Sequence, residues 1–550
     1  MKKWGYLILF LLVTGSLLWG VNTQEIIPLS SPLYRHIDRL YILEGRPRPS
    51  SARPWSVNEA SLILSRIENR SPLYEAIEAI LEESLRFSFS DNFQADVSVD
   101  LNIEIYTHSN GEDFNSDRDW VYSFEERKPL LKLNFEFLVG NFFYLFTDLQ
   151  YGRNRFTDRD TLFSVGGPSG AVIGSIIDSE TKEGKIITSS WPYSQTFLTN
   201  ILWPTHDLDM QLPKRAIFSV GGKQWNFNLS RDKTKWGHGK RGNLIVDDHT
   251  DFQEFAKLNV FTNIFKYEWL NLFLETNPSY RESQSSDSEF RIFMTHRLEF
   301  RILEKVAFSI SENIMYRNDL LSLQYLNPAF IYHNLNSSTM FNAIAHAEVD
   351  YTFYKGFNLY GQTALDQATA PNEPAGQAPA FGVIGGLEYT TELWGGYLSS
   401  SVEYVYISPA MYRRSMVDFL MFRRYPTNVA SSGGEFYSHI DYIGYKWGGD
   451  LQALQGELIY EHLKWGEIGV RIFGIQQGEV DYFTPNNVVT NTYATAPSGT
   501  VSETGIISIW GKSATFLNYP PLATWFQLDL IGRKGAKGDI QFTLGASASF

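Results

Sequence analysis

The sequence contains no cysteine. A disulfide framework and a lipid-modified N-terminal cysteine are therefore excluded, and the fold must rest on packing and hydrogen bonding. Long apolar runs are also scarce. Beyond residue 20 no stretch approaches the roughly 18 to 20 consecutive apolar residues that a membrane-spanning helix needs, so a helical membrane protein is excluded. Positive charge is in deficit, with 47 Lys and Arg against 61 Asp and Glu and a formal net charge of -14. That balance argues against nucleic acid or an anionic lipid surface as the principal partner. Catalytic signatures are missing too. The 10 His residues, His206, His238, His249, His333 and His346 among them, show no His-Glu-x-x-His spacing, and there is no Gly-x-Ser-x-Gly elbow or phosphate loop. No cofactor or metal site is expected and the chain reads as a non-enzyme, with a hydrolase assembled across strands as the remaining catalytic alternative.

Aromatics, by contrast, are abundant. Phe, Tyr and Trp make up 15% of the chain and glycines number 42, yet mean hydropathy is only -0.22. A transmembrane β-barrel reconciles these values, because its strands show lipid only at every second residue and carry aromatic girdles at both interfaces. The stretch FQADVSVDLNIEIY, Phe93 to Tyr106, shows the pattern most plainly. Phe93, Ala95, Val97, Val99, Leu101, Ile103 and Ile105 share one parity, and Asp96, Asp100 and Glu104 the other, so a strand here has one oily face and one acidic face. Similar alternation recurs from residue 87 to 550, in LKLNFEF, WNFNLSR, FRIFMTHRLEFRI, AEVDYTF and FQLDLIG. The spacing predicts about 16 to 19 strands in one large antiparallel barrel. Connections such as Ser164–Ser190, Asp366–Ala380 and Asp481–Thr504 are expected as surface loops.

Residues 1–20 read as a secretory signal, with Lys2 and Lys3 before the apolar run Tyr6 to Trp19. Residues 21–86 read as helical. Ser31-Pro32 and Ser71-Pro72 each place a hydroxyl before a proline, and Ser56 to Glu59 has capping-box spacing. Three apolar stripes follow: Leu33, Ile37, Leu40 and Tyr41; Ala60, Ile63, Leu64 and Ile67; Leu73, Ile77, Ile80 and Leu81. They predict a three-helix periplasmic bundle joined by the proline-rich link EGRPRPSSARP. The ending TLGASASF, closing on Phe550, resembles the C-terminal signal of bacterial outer-membrane barrels, which implies the barrel assembly machinery as a partner during biogenesis.

Two stretches resemble a known family. SPLYRHIDRLYILEGRPRPSSARPWSVNEASLIL and KWGHGKRGNLIVDD, with Trp236, Gly237, Gly239, Gly242 and Leu244 in a Trp-Gly-x-Gly-x-x-Gly-x-Leu frame, look like the Wzi family of capsule assembly proteins. LYGQTALDQ, Leu359 to Gln367, is a weaker third match. The resemblance implies a monomeric eighteen-stranded outer-membrane barrel with a periplasmic helical bundle, acting as a lectin that retains capsular polysaccharide. Candidate polysaccharide contacts are the arginine pairs Arg153 and Arg155 (near Arg159), Arg413 and Arg414, and Arg423 and Arg424, set among aromatics, together with Trp236 and His238 of the motif. Guanidinium forks suit acidic sugars and aromatic faces cover sugar CH groups. The same arginines could instead pair with lumen carboxylates such as Asp96, Asp100 and Glu104. A porin for small solutes is the alternative function, since alternation does not reveal whether the lumen is open.

Overall fold

The structure is a computed structural model that describes residues 23–82, 87–90, 93–114, 119–123, 125–152, 161–164, 167–172, 175–177, 184–186, 197–201, 213–274, 290–318, 326–332, 341–367, 377–414, 417–426, 436–482, 484–515 and 521–550. The expected signal, residues 1–20, lies outside the described residues, as do Arg153, Arg155, Arg159, His206 and His333.

Eighteen antiparallel strands form a closed barrel. They are β1 (Phe93–His108), β2 (Leu131–Val139), β3 (Phe143–Tyr151), β4 (Ala216–Gly222), β5 (Trp225–Asp232) and β6 (Gln253–Phe261). Next come β7 (Phe265–Leu274), β8 (Phe290–Phe300), β9 (Val306–Asn318), β10 (Phe341–Tyr354), β11 (Phe357–Gln367) and β12 (Ala380–Leu393). The wall is completed by β13 (Gly396–Ile407), β14 (Leu451–His462), β15 (Gly466–Gln477), β16 (Ser502–Ser513), β17 (Leu522–Arg533) and β18 (Asp539–Ser549). Closure joins β1 to β18, with Asp100 opposite Ser549 and His108 opposite Gln541. The terminal Phe550 continues that ladder, exchanging hydrogen bonds with Val99.

The alternation of β1 does what its pattern predicts. Val97, Leu101 and Ile103 are 46%, 38% and 42% exposed on the outer face, while Asn102, Glu104, Tyr106 and His108 are buried on the inner one. Leu229, Ile310, Leu387, Val402, Leu454, Ile472 and Leu544 extend the exposed apolar belt to other strands. A closed sheet leaves no edge unpaired, so this belt can lie in hydrocarbon, and the chain is an outer-membrane protein. One segment, 326–332, lies against the outside of the wall, where Trp269 donates its Nε1–H to Tyr332 at 2.7 Å. The lumen carboxylates do not find the arginines expected for them. Asp100 accepts from Ser549 Oγ at 2.6 Å and Asn134 Nδ2 at 3.0 Å, and Glu104 accepts from Tyr122 and the Lys128 backbone.

Turns such as 223–224, 355–356 and 394–395 at one end are short, and most connections at the other end are long. The short-turn end of such barrels faces the periplasm. There sit α1 (Leu33–Leu43), α2 (Val57–Leu64) and α3 (Pro72–Leu81). Ser56 and Ser71 cap α2 and α3 by accepting from the Glu59 and Tyr74 N–H groups, as the spacing predicts. Ser31 accepts from Leu33 N, with Pro32 rather than the serine at the cap position of α1. The three stripes share one apolar cluster, which also takes in Tyr397 and Leu463 from the barrel.

Candidate functional site

The proline-rich link 44–56 is not a surface connection. It enters the lumen from the short-turn end, carried in by buried polar side chains. Arg48 donates to Asp350 at 2.9 Å and Glu388 at 3.1 Å and lies over the Tyr360 ring. Ser50 donates to Glu299 at 2.8 Å, and Arg297 binds Glu299 at 2.7 Å and the Ser51 hydroxyl at 2.7 Å. Beside them Lys266 reaches Glu59 at 2.7 Å. Burying an ion is costly unless it is paired and hydrogen-bonded, which explains why wall and link supply opposite charges at matched depths. Flanking helices hold the mouth. Arg39 and His36 of α1 contact Glu461 at 2.6 and 3.1 Å.

A second plug descends from the long-loop end. Residues 233–252, between β5 and β6, fold into the lumen, and the glycine frame is what allows the folding. Gly237 and Gly242 have φ of 117° and 146°. A Cβ at Gly237 would overlap Asn243 Oδ1 and Gln362 Nε2, and one at Gly239 would overlap the Gly242 carbonyl. Gln362 belongs to the LYGQTALDQ stretch. It donates to Asn243 Oδ1 at 2.8 Å and accepts from Leu244 N at 3.1 Å, so the second and third family-like stretches meet in one hydrogen-bonded unit. Loop segments 408–414, 417–419 and 443–450 close over this plug. Trp236, Leu244, Ile245, Val246, Met411, Tyr412, Val417, Phe419, Ile443 and Tyr445 pack with wall residues such as Leu270, Leu272, Phe293 and Phe473 into one apolar core.

The two plugs are joined. Arg53 and Lys235 exchange backbone N–H to carbonyl hydrogen bonds, each of 2.9 Å, and the Thr234 hydroxyl donates to the Arg53 carbonyl at 2.8 Å. A cavity of about 20 Å³ remains between Arg48, Arg297, Glu348 and His238, room for a single water.

The candidate contact residues are therefore dispersed. Trp236 is fully buried and donates its Nε1–H to Glu268 at 2.5 Å. His238 is buried 4.0 Å from Asp350 and lines the small void beside Arg48. Arg413 is consumed internally. It meets Asp418 at 3.3 Å, the Thr484 carbonyl at 2.9 Å and the Asp481 carbonyl. Arg414 beside it is exposed at the outer mouth. Arg423 and Arg424 stand on a strand, Leu420–Pro426, opposite His439 and Ser438. That hairpin joins Thr161–Ser164 and Gly167–Val172 in a four-stranded sheet made entirely of loop residues at the outer end. Among the described residues no cluster of His, Asp and Glu could hold a metal ion. Sequence reasoning missed Gln362, Glu268 and Arg48 as plug contacts. The glycine spacing was the available signal for the loop, while nothing in a lone Gln or Glu announces its partner across a lumen.

No family model matches the chain, and no curated protein matches it. Among solved structures, OccK3 (OpdO) of Pseudomonas aeruginosa is 10% identical, with a TM-score of 0.40 over 83% of this chain and 95% of its own. OprD of the same organism is 7% identical, with a TM-score of 0.37 over 83% and 95%. Wzi, described as an outer-membrane protein involved in Group 1 capsule assembly in Escherichia coli and as a carbohydrate-binding β-barrel, is 12% identical, with a TM-score of 0.57 over 95% of this chain and 98% of that one. The fold of this chain, helices and barrel together, is the fold of Wzi.

Proposed function

We propose that this protein holds a surface polysaccharide at its outer face, as a monomeric, non-enzymatic, lectin-like barrel without a through-channel. The observation that carries the reading is the lumen filled from both ends, by an ionic plug below and an apolar plug above. A wall whose interior is filled from both ends has its working surface outside, where the exposed Arg414 offers a cation to an acidic glycan and the loop strand Leu420–Pro426 carries Arg423 and Arg424 in its sequence. Weak contacts repeated along a polymer would supply retention. The fold shared with a carbohydrate-binding barrel supports the same reading.

Two measurements on the purified protein test it. Planar bilayers should show no steady conductance, and a glycan array should show binding to acidic polysaccharides that falls when Arg414, Arg423 and Arg424 are replaced by Gln together. Large, reproducible, ion-selective steps would instead establish a porin.

A further inference from the structure

Several strand glycines of the barrel are covered by the chain itself. Gly386 stands opposite Tyr360, Gly469 opposite Trp510, Gly511 opposite Phe526 and Gly545 opposite Trp525, and in each pair a Cβ on the glycine would run into the partner's ring. The flat ring restores the contacts that the missing side chain gives up.

Three glycines depart from this pattern. Gly474 of β15 stands opposite Gly505 of β16, and Gly505 opposite Gly532 of β17, yet a Cβ on any of them would meet no described atom within 4 Å. At a strand spacing of about 4.8 Å, three bare backbones side by side make a floor roughly 10 Å across. Alternation puts that floor on the outer face of the wall, near the long-loop end. One bank, toward the membrane middle, is the row Ile472, Ile507 and Leu530, which are 61%, 42% and 40% exposed. The other bank, toward the outer rim, is polar: Gln476 stands opposite Glu503, Lys534 meets Glu503 at 2.9 Å, and Gln452 of β14 donates to Gln476 at 2.6 Å. The apolar part of the trough, widened by Gly456 of β14, has a volume of about 830 Å³, within the range of small-ligand sites.

What fills the trough comes from the membrane, because the floor is continuous with the exposed apolar belt that lies in hydrocarbon. Water is a poor occupant, since the floor and the inner bank offer no polar side chain and the backbone groups are spent in the ladder. A polar bank beside an apolar one suits a molecule with a head and a chain.

We infer that the trough seats one acyl chain of an outer-leaflet lipid, which lies on the glycine floor against Ile472, Ile507 and Leu530 with its head at Gln476, Glu503 and Lys534. A chain on an even wall meets protein along one side, whereas a chain in the trough meets floor and bank together, and its many small dispersion contacts add up. Amide and ammonium groups of the polar bank hydrogen-bond the oxygens of the head.

Photolabelling of the full-length protein tests the assignment, in dimyristoyl phosphatidylcholine vesicles doped with a phosphatidylcholine that carries a diazirine near the upper end of one chain. Adducts at Ile472, Ile507 and Leu530 are expected to exceed, by about threefold or more, those at Leu365, Val383 and Val402, which are exposed near the outer ends of other strands. Gly505→Leu fills the middle of the floor and should bring the excess down to the level of the comparison residues, with heat-modifiable migration unchanged. Even labelling of the unaltered protein overturns the inference whether or not the variant assembles, and so does an excess that persists in Gly505→Leu. With the diazirine moved to the chain terminus the excess should fall; an excess as large or larger there would mean that the chain enters from the inner leaflet, which overturns the outer-leaflet assignment. Labelling of the trough below the comparison level, together with migration as a dimer in mild detergent, would show a second copy of the chain as the cover and overturn the lipid.

Discussion

The two halves of the lumen are filled by opposite chemistry, and β7 shows both in ten residues. Its inward side chains run Lys266, Glu268, Leu270, Leu272 and Leu274 from the short-turn end upwards, all buried. The first two meet Glu59 and Trp236 as ionic and hydrogen-bonding partners, and the last three join the apolar core of the outer loops. The lower plug is thus held by charges that must be paired, and the upper one by surface that must be kept from water. Directional pairs set a unique seat for a segment that has few apolar residues of its own, whereas close packing suits loops that already bring Leu, Val, Phe and Tyr.

This contrast can be broken most severely in the lower half. Arg48→Met leaves Asp350 and Glu388 buried without their cation and should cost about 3 to 5 kcal/mol, read as loss of protease protection of residues 44–56 while the barrel still migrates as a heat-modifiable species. Collapse of the barrel itself would show that wall and plug are one cooperative unit. In the upper half, Leu244→Ala removes a fully buried side chain from the apolar core and should cost about 3 kcal/mol, with a gradual rather than an electrostatic response. If adding salt rescues Leu244→Ala but not Arg48→Met, the division of chemistry is wrong. On the wall, Val99→Arg places a cation on the lipid side of β1 and should cost about 2 kcal/mol in reversible unfolding from lipid vesicles. Asp100→Asn is the mildest, about 1 kcal/mol or less, because the amide oxygen keeps the hydrogen bond from Ser549 and only the one from Asn134 is lost. Equal sensitivity at positions 99 and 100 would mean that the two faces are not lipid and lumen.

The wall was legible in the sequence because a period of two records which face each side chain takes, and β1 followed its pattern along its length. The helix starts at Ser56 and Ser71 were legible because a cap and its target lie three residues apart. The plugs were not. Arg48, Asp350 and Glu388 are distant in sequence and adjacent only once the barrel has closed, so no local spacing records them. EGRPRPSSARP reads as a link because its prolines resist helix, yet two of its three arginines, the buried Arg48 and Arg53, are groups that seat it. Arg413 and Arg414 looked equivalent as a pair. The fold separates them, turning one into internal carbonyls and leaving the other in solvent. Trp236 resembled a sugar platform by type, but its glycine neighbours let the loop fold inward and hide it.

The bridge between Arg53 and Lys235 has a mechanical meaning. Two backbone hydrogen bonds connect a loop rooted at the outer rim to a segment rooted in the helices, so the plugs form a spliced strut running through the membrane inside the wall. Through that strut the loop at the outer rim is tied to α1 and α2, at either end of the spliced segment, by a route inside the barrel as well as through the sheet.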